Sequence, residues 1–218
     1  MKILITGGYG FIGSFLIKEL LKNKKYSIIN IDNITNSSMP ESLNSIKNYK
    51  HYKFIKNDIT NYTSLNKIIF FHKPDSIIHL AAESHVDNSI ESPKLFINTN
   101  ILGTYNLLTI SKKYLDNHLY KKNKFKFIHV STDEVYGSLS MQASPKKELS
   151  PFLPNSPYSS TKASSDLLVR AWNKTYNFPS ITTNPVSAFS KVETIFFALL
   201  ISSSVGVKTL FNASICLG

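Results

Sequence analysis

Short apolar, β-rich runs recur along the chain with helical patterns between them. The runs predict strands at Lys2–Thr6, Ser27–Asp32, Tyr52–Lys56, Ser76–Ala81, Lys124–Ser131 and Ser180–Thr183. Several are almost continuously apolar, the pattern of parallel strands covered on both faces. Phe11 with Phe15, Ile12 with Leu16 and Leu20, and Leu65 with Ile68 and Ile69 recur at helical spacing. Ser92-Pro93 supplies an N-cap and a first-turn proline for a long helix to about Leu115, and Ser156-Pro157 does so for a helix to about Tyr176. Strands alternating with helices predict an α/β fold with a doubly wound parallel sheet, whose ligands lie at the C-terminal strand edge. Gly137 to Pro157, rich in Ser and Pro, reads as a loop over that edge.

The first strand runs directly into Gly7-Gly8-Tyr9-Gly10-Phe11-Ile12-Gly13. Gly7, Gly10 and Gly13 have the spacing of a turn that lays backbone against a pyrophosphate at a helix N-terminus. Gly7 allows the turn, Gly10 leaves room for the phosphate, and Gly13 lets the helix pack close to the sheet. Asp32 closes the second strand, 19 residues beyond Gly13. An acid there accepts hydrogen bonds from both adenosine ribose hydroxyls and repels a 2′-phosphate, which favours NAD over NADP. A plain turn acid is the competing reading. Asp58, after the third strand, stands equally as an adenine contact and as a turn residue. These features make the predicted sheet Rossmann-type.

Composition narrows the setting. A chain of 218 residues with 42% apolar content can bury a core, as one large domain or one domain and a fragment. The formal charge of +11 invites a nucleic-acid partner. The basic residues are lysines apart from Arg170, scattered among Asn, Ile, Tyr and Phe, so no nucleic-acid partner is expected. The single cysteine, Cys216, excludes an internal disulfide and fits a reducing, cytoplasmic setting. The chain opens on a strand pattern with no basic-then-apolar leader. Thr194–Val207 is mostly apolar but broken by Ser202-Ser203-Ser204 and Gly206, so no membrane span is expected. The spacings show no metal cluster.

Tyr158 and Lys162 lie four apart just inside a helix start and share one face. A phenol becomes a base near neutral pH only when its phenolate is stabilised, which a neighbouring ammonium does. Thr132-Asp133-Glu134 follows a buried strand, where packing explains two adjacent carboxyls poorly. At a strand terminus both can line the ligand edge, and one protonated acid beside one ionised base suits elimination of water. Ala81 and Ala82 leave space for a cofactor, and Ser84 can hydrogen-bond a substrate. His85 reads as structural. Asn98 and Asn100 read as buried hydrogen-bonding residues, with Thr99 as a cofactor contact.

Taken together, Thr6–Gly13, Ala81-Ala-Glu-Ser-His-Val-Asp87, Ser131-Thr-Asp-Glu-Val-Tyr-Gly137 and Ser156-Pro-Tyr-Ser-Ser-Thr-Lys-Ala-Ser-Ser-Asp166 resemble the extended short-chain dehydrogenase/reductases, and within them the dTDP-glucose 4,6-dehydratases. The resemblance covers roughly residues 1–184. Sugar-nucleotide epimerases share the glycine loop and the Tyr-Lys pair but usually lack the Asp-Glu pair. GDP-mannose dehydratases typically show a Ser-Glu version of it. The resemblance implies NAD as cofactor, lined by Gly7, Gly10, Phe11, Ile12, Gly13, Asp32, Asn33, Ile34, Thr35, Asp58, Ile59, Leu80, Ala81, Ala82, Ser84, Thr99, Tyr158 and Lys162. It implies a sugar-nucleotide substrate, dTDP-glucose, touched by Ser84, Thr132 and Asn184. It assigns Tyr158 with Lys162 to the sugar 4-hydroxyl, Thr132 to the 4-oxygen, Glu134 to the carbon 5 proton and Asp133 to the leaving 6-hydroxyl. The helices from Pro93 and Pro157 correspond to the family's homodimer pair.

The pattern departs from the family in two places. The loop from Gly137 to Ser156 is shorter than usual. After Asn184 the family's Asn-rich stretch is replaced by Pro185-Val-Ser-Ala-Phe-Ser-Lys191, and residues 185–218 form a separate apolar tail, too short for the family's substrate domain. The expected organisation is therefore an NAD-binding unit over 1–184 followed by that tail. Catalytic power drawn from the remote nucleotide half of the substrate would then be reduced. An NAD-binding remnant and a sugar-nucleotide 4-epimerase stand as the competing readings.

Overall fold

The computed structural model describes residues 1–121, 124–138, 144, 146–147 and 149–183. Six parallel strands form one sheet in the order β3-β2-β1-β4-β5-β6. They are β1 (Lys2–Thr6), β2 (Ser27–Asp32), β3 (Tyr52–Lys56), β4 (Ser76–His79), β5 (Lys126–Val130) and β6 (Ser180–Thr183). The predicted doubly wound, Rossmann-type sheet is what the chain forms. The strand order reverses between β1 and β4, so the crevice above these two strands is the topological switch point.

Three strand bounds differ from the sequence reading, the smallest difference being that β5 ends at Val130 rather than Ser131. β4 stops at His79 rather than Ala81. The Leu80 amide still bonds to the Thr6 carbonyl at 3.1 Å, and the chain then leaves the sheet. β5 starts at Lys126 rather than Lys124, because the Lys124 and Phe125 amides are taken by the Lys121 carbonyl in the preceding turn.

Strand residues alternate between two cores. Ile3, Ile5, Ile28, Ile78 and Ile128 meet Leu16, Ile17 and Leu20 of α1 (Phe11–Leu21) on one face. Leu4, Ile29, Ile31, Ile77 and Phe127 face α2 (Tyr62–His72), α5 (Thr104–Asp116) and α6 (Pro157–Tyr176) through Leu65, Ile69, Leu107, Ile110 and Val169 on the other. Each such side chain contributes about 1.5–3 kcal/mol on burial, so the sheet is a rigid platform for the loops at its C-terminal edge.

The helices carry the remaining corrections. α6 begins as its sequence predicts, with a capping box in which Ser156 and Ser159 satisfy each other's backbone amides. Ser92 precedes a helix as predicted but makes no side-chain cap bond. That helix is not uniform: α4 (Pro93–Phe96) passes into a π-helical segment (Ile97–Gly103) before α5. The π segment places Asn100 and Gly103 inward, both buried. A short α3 (Val86–Glu91) precedes α4, and a 3-10 turn (Asp133–Tyr136) follows β5. Among the described residues no helix is long and apolar enough to cross a membrane.

Candidate active site

The glycine turn joins β1 to α1. Gly7 has φ +74°, and a Cβ there would meet the Ala81 amide nitrogen at 2.6 Å. Only glycine lets this turn lie against the backbone that leaves β4. A Cβ on Gly10 would meet just the Gly7 carbonyl, at 3.3 Å, so its remaining side is open. Gly13 packs against the turn itself, at Gly7 and Gly8, rather than against the sheet as its sequence position suggested. Gly8, which sequence reasoning passed over, fits closely on Asn30 and Ile17. Gly10 is the N-cap of α1 and offers no side chain, and the first turn carries no acid. The leading amides of α1 are thus presented without a capping group, as an anion site requires.

Asp32 ties this turn to the loop after β2. Its Oδ2 accepts the Tyr9 amide at 3.0 Å. Its Oδ1 accepts the Ile34 amide at 2.8 Å and the Ser38 hydroxyl at 3.0 Å. Ile34 itself has φ +58°, and Thr35 donates its amide to Ser38 at 3.0 Å. Beside them, Asn33 donates to Asp58 at 3.2 Å, and the Thr60 amide and hydroxyl add bonds of 2.8 and 2.7 Å. Burial alone would raise the Asp58 pKa, but these donors hold it below the ordinary value. Ile59 stays in the core, its side chain against Gly103. Phe11 lies at the rim of the turn, 70% exposed, with Ile12 half-buried behind it.

Leu80, Ala81 and Ala82 continue from β4 along the switch-point crevice, half-buried, and Ser84 and His85 beyond them are exposed. Asn100 clamps this stretch. It accepts the Glu83 amide at 2.9 Å and donates to the Glu83 carbonyl at 3.0 Å and to Thr161 of α6 at 2.9 Å. The Asn100 part of the sequence reading thus has its physical basis. Asn98 and Thr99, its neighbours in the π segment, are half-buried. Burial pushes the Glu83 carboxyl up against a lowering by His85, and the nearby Asp58 adds a smaller rise.

At the end of β5 the residues predicted as catalytic converge. Thr132, 4% exposed, caps the 3-10 turn by accepting the Glu134 amide at 3.3 Å, and its hydroxyl lies 3.3 Å from Asp133 Oδ1. Asp133 and Glu134 are both exposed at this edge. Val135 and Tyr136 pack with Ala163 of α6, which fixes the turn against that helix. Tyr158, 8% exposed, hydrogen-bonds Thr132. Burial and the charges of Glu134 and Asp133 push its phenol up to about 12, while the Thr132 bond pulls the other way. Lys162, one turn further along α6 and 5% exposed, donates to the Val130 carbonyl at 2.8 Å. The structure therefore brings Thr132, Asp133, Glu134, Tyr158 and Lys162 to one place. Asn184 lies outside the described residues.

Behind these groups lies a polar layer that sequence reasoning missed. His79 and His129 are register partners on β4 and β5, with ring centroids 5.2 Å apart. Thr104 donates its hydroxyl to the Asn100 carbonyl at 2.6 Å and so can only accept from His79 Nε2, at 2.9 Å. His79 Nδ1 then accepts from Thr6 at 2.8 Å, and the Thr6 oxygen accepts the Ala81 amide at 3.3 Å. A neutral imidazole is fully satisfied in this chain. Burial, then His129 and Lys162, hold the His79 pKa well below its ordinary value. His129 is also held neutral, by burial and Lys162 against the opposing pull of Asp166. Its Nε2 lies 3.1 Å from Asp166 Oδ1, and with a neutral ring this contact is not an ion pair. The available signal was a histidine directly after an apolar pair in each of two strands, Ser76-Ile-Ile-His79 and Lys126-Phe-Ile-His-Val130.

Comparison with known proteins gives the family of the chain. The family described as GDP-mannose 4,6 dehydratase matches residues 4–206, past the Asn184 where the motifs end. A dTDP-glucose 4,6-dehydratase of Salmonella typhimurium is 47% identical over 193 residues, covering 84% of this chain and 54% of that protein. One from Haemophilus influenzae is 44% identical and covers 96% of this chain and 63% of its own length. The chain thus spans little more than half the length of these relatives. Among solved structures, dTDP-glucose 4,6-dehydratase from Bacillus anthracis in complex with NAD is 40% identical with a TM-score of 0.72, covering 84% of this chain and 54% of that one. DesIV, a dTDP-glucose 4,6-dehydratase from Streptomyces venezuelae with NAD and TYD bound, is 33% identical with a TM-score of 0.75, covering 94% and 63%. UDP-glucose 4-epimerase from Thermotoga maritima shares the architecture at 31% identity and a TM-score of 0.72, covering 84% and 55%. With most of its residues matched, the chain belongs to the GDP-mannose 4,6 dehydratase family and is homologous to the N-terminal half of the NAD-dependent dTDP-glucose 4,6-dehydratases.

Proposed function

We propose that this chain carries the NAD site and the catalytic groups of a dehydratase that converts a nucleoside-diphosphate hexose, dTDP-glucose, to its 4-keto-6-deoxy sugar. The observation that carries the reading is the meeting of Thr132, Asp133 and Glu134 with the Tyr158 hydroxyl at the end of β5. An oxidising pair alone needs only the phenol and the ammonium. Two carboxyls beside them add what loss of water requires, a base and an acid.

The residues present fit NAD. The Gly10 backbone and the uncapped start of α1 suit the pyrophosphate, and Asp32 suits the adenosine ribose. NAD supplies the acceptor and later donor of a hydride when bound. Tyr158 takes the proton of the 4-hydroxyl while Thr132 holds the 4-oxygen. Glu134 removes the proton at carbon 5, which the 4-keto group has acidified. Asp133 protonates the departing 6-hydroxyl. A phenol at about 12, with Lys162 already in place, is too weakly acidic for this work; the further positive charge of a bound nicotinamide would bring it down. The proposal includes a homodimer. Ile97, Leu102 and Tyr105 are 43–49% exposed on one helix, Leu167 is 56% exposed on α6, and an apolar groove of about 230 Å³ runs between Pro93, Ile101 and Pro157.

Purified chain incubated with NAD and dTDP-glucose tests the reading through the alkali-stable absorbance of a 4-keto sugar. The expected outcome is that absorbance, abolished in Tyr158→Phe. A C4 epimer with no loss of water would make the chain an epimerase. Bound NAD with every sugar nucleotide unchanged would make it an NAD-binding segment without this activity.

A further inference from the structure

Tyr158, Lys162 and Asp166 recur every fourth residue of α6 and so form one stripe along the helix. The first two are accounted for above; the third is not. Asp166 is 4% exposed, which for a carboxylate demands donors. It has them on the facing strand. Ser131 donates to its Oδ2 at 2.6 Å, and His129 Nε2 lies 3.1 Å from its Oδ1. His129 and Ser131 are two apart and therefore face α6 together. Ser165 donates its own proton to the Lys162 carbonyl at 2.8 Å, so its oxygen can only accept from His129 Nε2, at 3.3 Å. The hydrogen on His129 is thus on Nε2, facing two acceptors. The Ser131 hydroxyl thus holds one oxygen of the Asp166 carboxyl, and the other oxygen faces the His129 ring.

Charge balance gives this acid a task. Lys162 is buried and lies one helical turn from Asp166, a spacing of about 5–6 Å between Cβ atoms. The imidazoles of His129 on β5 and His79 on β4 feel its charge, and Tyr158, one turn back on α6, feels those of Asp133 and Glu134 at the strand end. Both imidazoles are neutral, and both carboxyls of the strand end are exposed to water. Elsewhere around α6, Asp87 and Glu91 on α3, Lys94 on α4, and Lys113 and Asp116 on α5 are exposed, and Lys112 is half-buried. The π segment and β6 carry no charged side chain. Asp166 is therefore the one buried carboxylate among the described residues packed around the buried ammonium.

We infer that Asp166 is a positioning residue, the buried counter-charge that keeps Lys162 an ammonium while Ser131 and His129 hold the carboxylate in place. The inference rests on the reading of Lys162 as the group that serves Tyr158. Removing the charge leaves a buried ammonium uncompensated, and such a group sheds its proton.

The test follows Lys162 directly, in the full chain, by NMR of 13Cε-labelled lysine, with K162M assigning the resonance. In D166N the midpoint of Lys162 falls by about two pH units. In S131A, which loosens the carboxylate but keeps its charge, it moves by less than half of that. A midpoint unmoved in D166N, or moved equally in S131A, overturns the inference. Should D166N fail to fold, K162M reads the same coupling from the other side, because the interaction is reciprocal. The 13Cγ titration of Asp166 then rises by a like amount, and an unmoved Asp166 overturns the inference. A chain that shows this coupling yet makes no 4-keto product keeps the counter-charge and loses only the proposed activity.

Discussion

The two halves of the sheet's C-terminal edge are built from different materials. Above β1, β2 and β3 the walls are backbone: a turn with Gly7 at φ +74°, an uncapped helix start, and loop amides gathered by Asp32. Above β4 and β5 they are buried side chains joined across distant parts of the chain, Thr6 to His79, Asn100 to Thr161 and Ser131 to Asp166. The first half depends on shape and the second on charge and proton placement. The halves should therefore fail in different ways and respond to different probes.

The largest effect is expected from Gly7→Val. It places a β-branched residue in the left-handed region and a Cβ against the Ala81 backbone. Strain and overpacking together should cost about 2–5 kcal/mol, read by urea unfolding, with loss of NAD binding in calorimetry. The cost should not change with pH, because no proton is involved.

The second half is expected to show the opposite behaviour. His79 and His129 are held neutral in the folded chain, below the ordinary 6.5. Unfolded imidazoles take up protons near that value, so the unfolded state binds more protons below it. Stability should be flat above about pH 7 and fall as pH drops through 6.5, by up to about 1.4 kcal/mol per pH unit for each ring. Asp58 and Asp75, held below 3.8, add their own loss only at lower pH. Melting of H79Q/H129Q should flatten the upper window, and Gly7→Val should leave its slope intact. An unchanged slope in the double variant would remove the distinction between the halves.

This difference also governs what the sequence could tell. Strands β1, β2, β3 and β6 are local apolar runs, and their predicted bounds agree with the structure. The turn at Gly7, Gly10 and Gly13 and the capping box at Ser156 are local too. The π segment was not legible, because nothing in Ile97–Gly103 distinguishes it from an ordinary helix before it is packed. Gly8 was not legible because its constraint is Asn30, on a different strand. The layer of His79, His129 and Asp166 was missed because its partners lie far apart in sequence. Asp166 stands four residues after Lys162, and only the folded chain brings Ser131 and His129 against it. Thr132, Asp133 and Glu134 were legible because paired acids after a buried strand have no packing explanation.

Both strand-end acids act on the Tyr158 phenol. Stopped-flow pH jumps that follow tyrosinate absorbance before alkaline unfolding test it, with Tyr158→Phe subtracted to isolate the one residue. In the native chain Tyr158 should ionise at about 12, raised by burial and by the charges of Glu134 and Asp133. In D133N/E134Q the midpoint should fall clearly below that of the native chain. An unchanged midpoint would mean that the carboxyls do not face the phenol, and the water-removing site described above would have no basis.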